Sequence, residues 1–154
     1  MFKKWIVPSI IAAVILALSF LFIKFPPSKW HSFGHGPEVE IDWRLLADMD
    51  YVTGKAPEEL KKLDGKQIRL PGFMVPLEDN MKKVTQFLLV PSPQACIHVP
   101  PPPPNQQLLI EMESGTEVIY GPIWVHGELN IVPQRTQFGE SSYKIIAHSV
   151  EAYQ

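Results

Sequence analysis

The sequence predicts a mainly β protein: a small five-stranded Greek-key barrel with a short helix, preceded by an N-terminal transmembrane helix. Two observations lead to this prediction. An uncharged apolar run lies within the first 25 of the 154 residues, and five later segments alternate apolar and polar residues in the manner of strands. Because no helical period of useful length separates those segments, parallel strands joined by crossover helices are not expected.

The N-terminal run has the length of a membrane-spanning helix. Lys3 and Lys4 precede an uncharged stretch at residues 5–23, and Lys24 follows it. At about 1.5 Å per residue, such a helix spans roughly 30 Å, the thickness of the hydrocarbon core. A cleaved signal peptide is the alternative, but its apolar region is typically only about 7 to 15 residues long. We therefore predict an uncleaved anchor at residues 1–25, with the N-terminus in the cytoplasm and the rest exported.

The charge of the chain beyond the anchor argues against nucleic acid as a partner. Four of the 14 basic residues flank the apolar run, whereas all 16 acidic residues follow it. The exported part therefore has a net charge of −6. A nucleic-acid-binding domain would be expected to have a basic surface instead.

Residues 26–40 are predicted to form a linker and residues 41–154 a single barrel domain. Proline, glycine and serine are frequent in the linker, as in flexible segments. The remaining length suits one compact domain with an apolar core. Cys96 is the only cysteine, so the sequence offers no internal disulfide and the domain must be stabilised by packing.

Short helical segments are expected before the strands. Apolar residues at 41–46 indicate a helix or an extended lead-in, and Pro57 is expected to begin a short helix. Asp64-Gly65 should end that helix with a tight turn.

The five predicted strands are residues 67–77, 84–90, 108–112, 123–132 and 142–153. Within the first, Pro71-Gly72 shifts the apolar positions by one residue, which predicts a bulge or a sharp bend in one long strand. Along the chain, the prediction gives one coiled strand, then a meander, then two later strands. This is the order of strands in an oligonucleotide/oligosaccharide-binding (OB) barrel. We predict this OB-like topology, with an open sandwich as the alternative.

A cysteine, a histidine and a proline run between the second and third predicted strands form the main candidate site. Cys96 and His98 are two residues apart, so their side chains lie on the same face of an extended segment. Pro100–Pro104 should adopt polyproline II geometry, which is preset and suits docking against aromatic side chains. The predicted partner-binding residues are Pro100, Pro101, Pro102, Pro103, Pro104 and Asn105.

Three interpretations of Cys96 and His98 remain open. In the first, both bind zinc or copper, with His126 as the best third ligand. In the second, Cys96 is a small buried apolar residue, His98 bonds to the backbone, and the prolines brace the barrel. In the third, the pair performs redox or nucleophilic chemistry, although no orienting carboxylate or amide and no second cysteine is evident nearby.

Three segments resemble a known bacterial family. GKQIRLPGFMVPLE at residues 65–78, FLLVPSPQACIHVPPPPPNQ at 87–106 and GPIWVHGEL at 121–129 are similar to hallmark segments of the family called domain of unknown function 3299. The resemblance covers roughly residues 41–153. It implies a small envelope protein of a Gram-negative bacterium, encoded in some cases beside export-type transporter components and metal-handling proteins, and it implies no established activity.

These observations together predict a membrane-anchored periplasmic accessory module. It is expected to lie in the inner membrane as a single-pass protein, with its C-terminal domain in the periplasm. It would handle a transition metal, zinc or copper, through Cys96, His98 and His126, or support an envelope transporter; the sequence does not say which metal. A structural protein–protein interaction module without metal or catalysis is the alternative.

Overall fold

The computed structural model describes residues 36–93, 102–137 and 139–153, all within one compact unit. The predicted anchor at residues 1–25 and most of the predicted linker lie outside the described residues. The strands are β1 Val39–Glu40, β2 Gln67–Pro76, β3 Val84–Val90, β4 Leu108–Thr116, β5 Pro122–Asn130, β6 Gln134–Thr136, β7 Gly139–Ser141 and β8 Tyr143–Ala152. The helices are α1 Trp43–Ala47, α2 Glu58–Lys61 and a 3-10 helix at Pro104–Gln106.

Five of the strands close into a barrel, as the sequence predicts. The order is β2-β3-β4-β8-β5, and antiparallel pairing of β5 with β2 closes the ring. The β4–β8 pair is parallel, and the other pairs of the ring are antiparallel. β1 adds two residues beside β2 in parallel, and β6 and β7 form a separate hairpin.

The core fills the barrel with apolar side chains from every strand of the ring. Leu70, Phe87, Ile110, Val125 and Ile145, one from each strand, are fully buried. These residues alternate with outward-facing neighbours, as the period of two along a strand requires. Burial of this apolar surface is the main source of the stability of the domain.

The first barrel strand differs from the prediction in one respect. β2 is a single long strand that pairs with β5 through Phe73 and with β3 from Phe73 onward. Its register has no shift in either pairing, so the bulge, one of the two predicted alternatives, is absent from this strand. Register shifts occur instead between Val84 and Gln86, and between His126 and Gly127.

α1 is capped by its own N-terminal side chain and is joined to the start of β8 by one side-chain hydrogen bond. Asp42 caps its N-terminus by accepting from the backbone N–H groups of Arg44 and Leu45. The hydroxyl of Tyr143 donates to the carbonyl of Leu46 at 2.6 Å. Burial, with a smaller effect of a nearby carboxylate, raises the pKa of Tyr143, so this hydroxyl keeps its proton.

Within the described ranges, the helices are too short and too polar to cross a bilayer. The segment predicted to do so, residues 5–23, is outside those ranges.

Candidate functional site

The outer face of β2 carries apolar side chains that do not point into the barrel. Ile68 and Leu70 point inward and are fully buried, and Gly72 lies on the same face. Phe73 and Val75 alternate with these positions and point outward, where they are only partly buried. Phe73 and Val75 therefore belong to a second, external surface, whereas Met74 packs against the core.

A groove of about 340 Å³ lies over Phe73 and Val75. Its walls come from the loop after β2 and from the loop between β4 and β5. Tyr120 and Met81 are 86% and 50% exposed, so the groove is open to solvent. Its lining is almost wholly apolar and comprises Phe73, Met74, Val75, Pro76, Met81, Pro93, Val118, Ile119, Tyr120 and Gly121. We call this feature the apolar groove.

Glu78 holds the loop that carries Met81. One oxygen of its carboxylate accepts from the Thr85 hydroxyl at 2.6 Å and from the backbone N–H groups of Thr85 and Gln86, each at 2.7 Å. These hydrogen bonds, led by that from the Thr85 hydroxyl, lower the pKa of Glu78. The ionised carboxylate thus fastens this loop to the start of β3.

A second groove lies between the β6–β7 hairpin and the outer face of β3 and β4. Its volume is about 420 Å³, and polar side chains dominate its lining. The lining residues are Leu77, Gln86, Leu109, Glu111, Gln134, Arg135, Thr136 and Gln137. We call this feature the polar groove.

His126, the predicted third metal ligand, is held between two carboxylates. Its Nδ1 lies 2.7 Å from Glu38 and its Nε2 lies 3.2 Å from Glu151. The ring is only 13% exposed, and the ring of His148 lies 6.3 Å away, centre to centre. His126 therefore joins the leading segment of the domain to the last strand.

This arrangement does not itself form a metal centre. Glu38 and Glu151 contact opposite nitrogens of His126, so the three groups cannot converge on one ion without rearrangement. Carboxylates only accept, and both contacts are satisfied together when each ring nitrogen of His126 carries a proton. Across the described parts of the chain, no three or more histidine, cysteine, aspartate or glutamate side chains are placed to hold an ion.

Trp124 shares the outer face of β5 with His126. Its ring stacks on Tyr153 with a centroid distance of 5.1 Å, and the guanidinium of Arg69 lies 5.0 Å from the ring centre. Arg69 also binds Glu40 at 2.6 Å. These contacts attach β1 and the C-terminus to the barrel, so Trp124 has a structural role here.

The end of the proline run is fastened to the domain. The carbonyls of Pro102, Pro103 and Pro104 accept from the Gln107 side chain and from the backbone N–H groups of Gln106 and Ser142. These three carbonyls are therefore engaged within the chain.

Asn105, predicted to bind a partner, lies inside the protein. It is only 7% exposed, and its Nδ2 donates to the carbonyls of Ala47 and Met49 at 2.9 and 3.0 Å. These bonds connect the 3-10 helix to the C-terminal end of α1. In this structure its side chain is directed to the domain itself.

The remaining predicted site residues, Cys96, His98, Pro100 and Pro101, lie outside the described residues. The metal-binding and docking roles assigned to them stay predictions.

The apolar groove had a signal in the sequence, namely the one-residue shift of apolar positions at Pro71-Gly72. That shift marks a change of the face on which apolar residues lie. The polar groove had no such signal, because Gln86 and Gln134 are ordinary surface residue types.

Comparison with known proteins identifies relatives of this fold. A family profile described as protein of unknown function (DUF3299) matches residues 47–152. The crystal structure of a DUF3299 family protein from Pseudomonas aeruginosa PAO1 is similar, with a TM-score of 0.63 and 30% sequence identity. The match covers 77% of this chain and 98% of that chain. No curated protein matches the sequence.

Proposed function

We propose that this chain, which belongs to the DUF3299 family, is a membrane-tethered binding module of the bacterial envelope. The family description assigns no activity, so the proposal rests on the surfaces of the chain itself. The barrel would be exported and would bind a protein partner in the same membrane through the apolar groove. An envelope transporter is one such partner. The observation that carries this proposal is the set of apolar side chains on the outer face of β2.

The strand order supports a binding role. We propose that the barrel is OB-like, because the β2–β3–β4 meander, the parallel β4–β8 pair and the return through β5 follow that topology. Barrels of this type bind ligands through an outer face and the loops that flank it. Closure of the ring pairs each of its strands with two neighbours, so we expect a partner to contact mainly side chains.

The leading segment and the apolar groove lie at different ends of β2. Val39 pairs with Ile68, so the chain reaches the barrel near the start of this strand. Val75 is seven residues further along, roughly 20 Å at the rise of a strand. The first described residues of the domain therefore lie away from the groove.

The segment between the predicted anchor and the barrel, which we call the tether, limits which partners the apolar groove can reach. Residues 24–35 join the apolar run at residues 5–23 to the first described residue, Gly36. Such a segment reaches at most about 40 Å when extended, and tethering raises the effective concentration of proteins within that reach. An apolar segment of a neighbouring membrane protein is thus the occupant that we propose for the groove.

Site-specific photo-crosslinking in cells tests this proposal. The full chain would carry a benzophenone amino acid in place of Tyr120, and adducts would be identified by mass spectrometry. We expect a discrete adduct with an integral membrane protein, and we expect Met81→Asp to remove it by placing a charge in the groove. The same probe in place of Tyr51, a 46% exposed tyrosine outside the groove, is the matched control.

A second experiment tests whether the anchor is needed for docking in the apolar groove. Residues 33–154, exported without the anchor, should give much less of the adduct because the effective concentration is lost. Equal adducts from the Tyr120 and Tyr51 probes, or an adduct unaffected by Met81→Asp, would refute docking in the groove.

A further inference from the structure

Met81 is far more exposed than the other methionines that the structure describes. It is 50% exposed, whereas Met49 and Met112 are 4% and 9% exposed. Met74 is partly buried and packs against the core. Of these thioethers, that of Met81 is therefore the most accessible to a reagent in solution.

Met81 is held in place on one wall of the apolar groove. Its carbonyl accepts from the backbone N–H of Val118, which lies on the other wall, at 3.3 Å. Glu78 fastens the loop before it to the start of β3, and Asn80 accepts from the backbone N–H of Lys82 at 3.1 Å. The Met81 side chain is thus a fixed part of the surface that a docked partner contacts.

Oxidation of Met81 would change the chemical character of this wall. A thioether is apolar and polarisable, whereas a methionine sulfoxide is polar. The lining around Met81 includes Phe73, Val75 and Ile119, whose side chains have no hydrogen-bond donor. An apolar segment docked here would offer none either, and burial of a polar group without a hydrogen bond is unfavourable.

From these observations we infer that Met81 is a reversible oxidation site that turns off docking in the apolar groove. The reagents are hypohalous acids such as hypochlorous acid, which oxidise thioethers without a metal or another cofactor. The Met81 sulfur gives up two electrons and gains one oxygen atom, while hypochlorous acid is reduced to chloride and releases a proton to water. A dithiol-dependent sulfoxide reductase reverses the step, since the oxygen leaves as water and two thiols become a disulfide.

The position of Met81 suits a switch that acts on the groove alone. A sulfoxide at Met49 or Met112 would disturb the packed core, but both residues are shielded from solvent. The half-exposed side chain of Met81 already meets water, so its oxidation should leave the barrel folded. This inference rests on the proposed docking in the apolar groove and adds the regulation of that site.

Oxidation of the full chain in lipid nanodiscs tests the site itself, without any partner. The chain would be treated with increasing amounts of hypochlorous acid, and the sulfoxide content of each methionine would be measured by mass spectrometry. We expect Met81 to react about tenfold faster than Met49 and Met112, because susceptibility follows exposure. The thermal midpoint should stay that of the untreated chain, and a methionine sulfoxide reductase should restore the thioether. Equal rates at the three methionines would overturn the inference.

Photo-crosslinking in cells from the probe at Tyr120 tests the consequence for docking. Cells would receive hypochlorous acid before illumination, and the sulfoxide content of Met81 would be compared between the adduct and the uncrosslinked chain. We expect the sulfoxide to be depleted about tenfold in the adduct, because an unpaired polar group opposes docking. Equal sulfoxide content in the two fractions would overturn the switch.

Two variants separate Met81 from other oxidisable residues. Met81→Gln places a polar amide in the groove and should lower the adduct yield without any oxidant. Met81→Leu lacks the sulfur, so the ratio of its treated to its own untreated yield should stay close to one. Cys96 is present in both variants, so a loss in treated Met81→Leu equal to that of the parent chain would assign the effect to another residue and overturn the inference.

The switch and the docking on which it depends fail in different ways. No adduct from the Tyr120 probe in untreated cells would refute docking in the apolar groove, and the switch with it. An adduct that forms equally well from chains oxidised at Met81 would overturn the switch alone and leave the docking in place.

Discussion

Glu38 and His126 lie 88 residues apart in the sequence, yet the Glu38 carboxylate is 2.7 Å from Nδ1 of His126. On the other side of the ring, Glu151 lies 3.2 Å from Nε2. One partly buried imidazole therefore connects the leading segment, β5 and β8. This position favours a role in holding both ends of the domain on the barrel.

His126→Gln is expected to loosen both ends of the domain. A glutamine cannot contact two carboxylates on opposite sides, so at least one of these contacts is lost, at a cost of about 0.5 to 1.5 kcal/mol. Hydrogen exchange should rise at residues 38–40 and at the end of β8, and the urea midpoint should fall. Glu128→Gln, on the same outer face of β5, is the control and should change neither. Unchanged exchange in His126→Gln would show that the contacts do not hold the ends.

The strands of the barrel were predictable because their core residues alternate. Of the two alternatives predicted at Pro71-Gly72, a bulge or a sharp bend, the bulge was wrong, because apolar residues on an outer face produce the same one-residue shift as a bulge. The β6–β7 hairpin lacks apolar alternation and was missed. The partners of His126 could not be predicted, because closure of the barrel brings distant segments together and no local pattern records it.

Gly127 is expected to tolerate no side chain. A Cβ at this position would lie 2.7 Å from Cα of Ala147 and closer still to the carbonyl of Ile146, and backbone atoms cannot move aside as a flexible side chain can. Gly127→Ala should therefore separate β5 from β8 and lower the free energy of unfolding by about 1 to 3 kcal/mol. Gly36→Ala, which meets nothing within 4 Å, is the control in the same denaturation experiment. Equal midpoints for the two variants would contradict the close packing.

Asn105→Ala should destabilise the contact between the 3-10 helix and α1. The substitution removes two hydrogen bonds and leaves the carbonyls of Ala47 and Met49 without this donor, a loss of about 1 to 3 kcal/mol. Gln106→Ala is the neighbouring control, because the single bond of Gln106 to the carbonyl of Trp43 is long, at 3.4 Å. In thermal denaturation, the midpoint of Asn105→Ala should be well below that of Gln106→Ala. The reverse order would indicate that Asn105 serves a partner rather than the fold.

The lowered pKa of Glu78 predicts that the stability of the domain depends on pH. Its pKa is lowered from 4.5 by hydrogen bonds from Thr85 and Gln86, so its contribution to stability is full above the unfolded-state value. That contribution is lost as the pH falls through the lower, folded-state value. The difference in urea midpoint between the parent chain and Glu78→Gln should therefore be large at pH 7 and shrink on acidification below about pH 4. Asp79→Asn is the adjacent control, and its urea midpoint should differ little from that of the parent chain at every pH. If the effect of Glu78→Gln did not vary with pH, the ionised Glu78 carboxylate would not be the stabilising group.

Metal binding by Cys96 and His98 is testable without further structural information. The full chain, purified under reducing conditions, would be analysed for zinc and copper beside Cys96→Ser and His98→Ala. If the pair binds metal through its thiolate and imidazole, the parent chain should contain near-stoichiometric metal and both variants should lose it. The metal content of His126→Gln then shows whether His126 is the third ligand. Loss of metal would require His126 to leave one of its carboxylates, whereas retention would place the third ligand elsewhere. Equal trace metal in all four proteins, with no shift in thermal midpoint on adding either ion, would rule the metal role out.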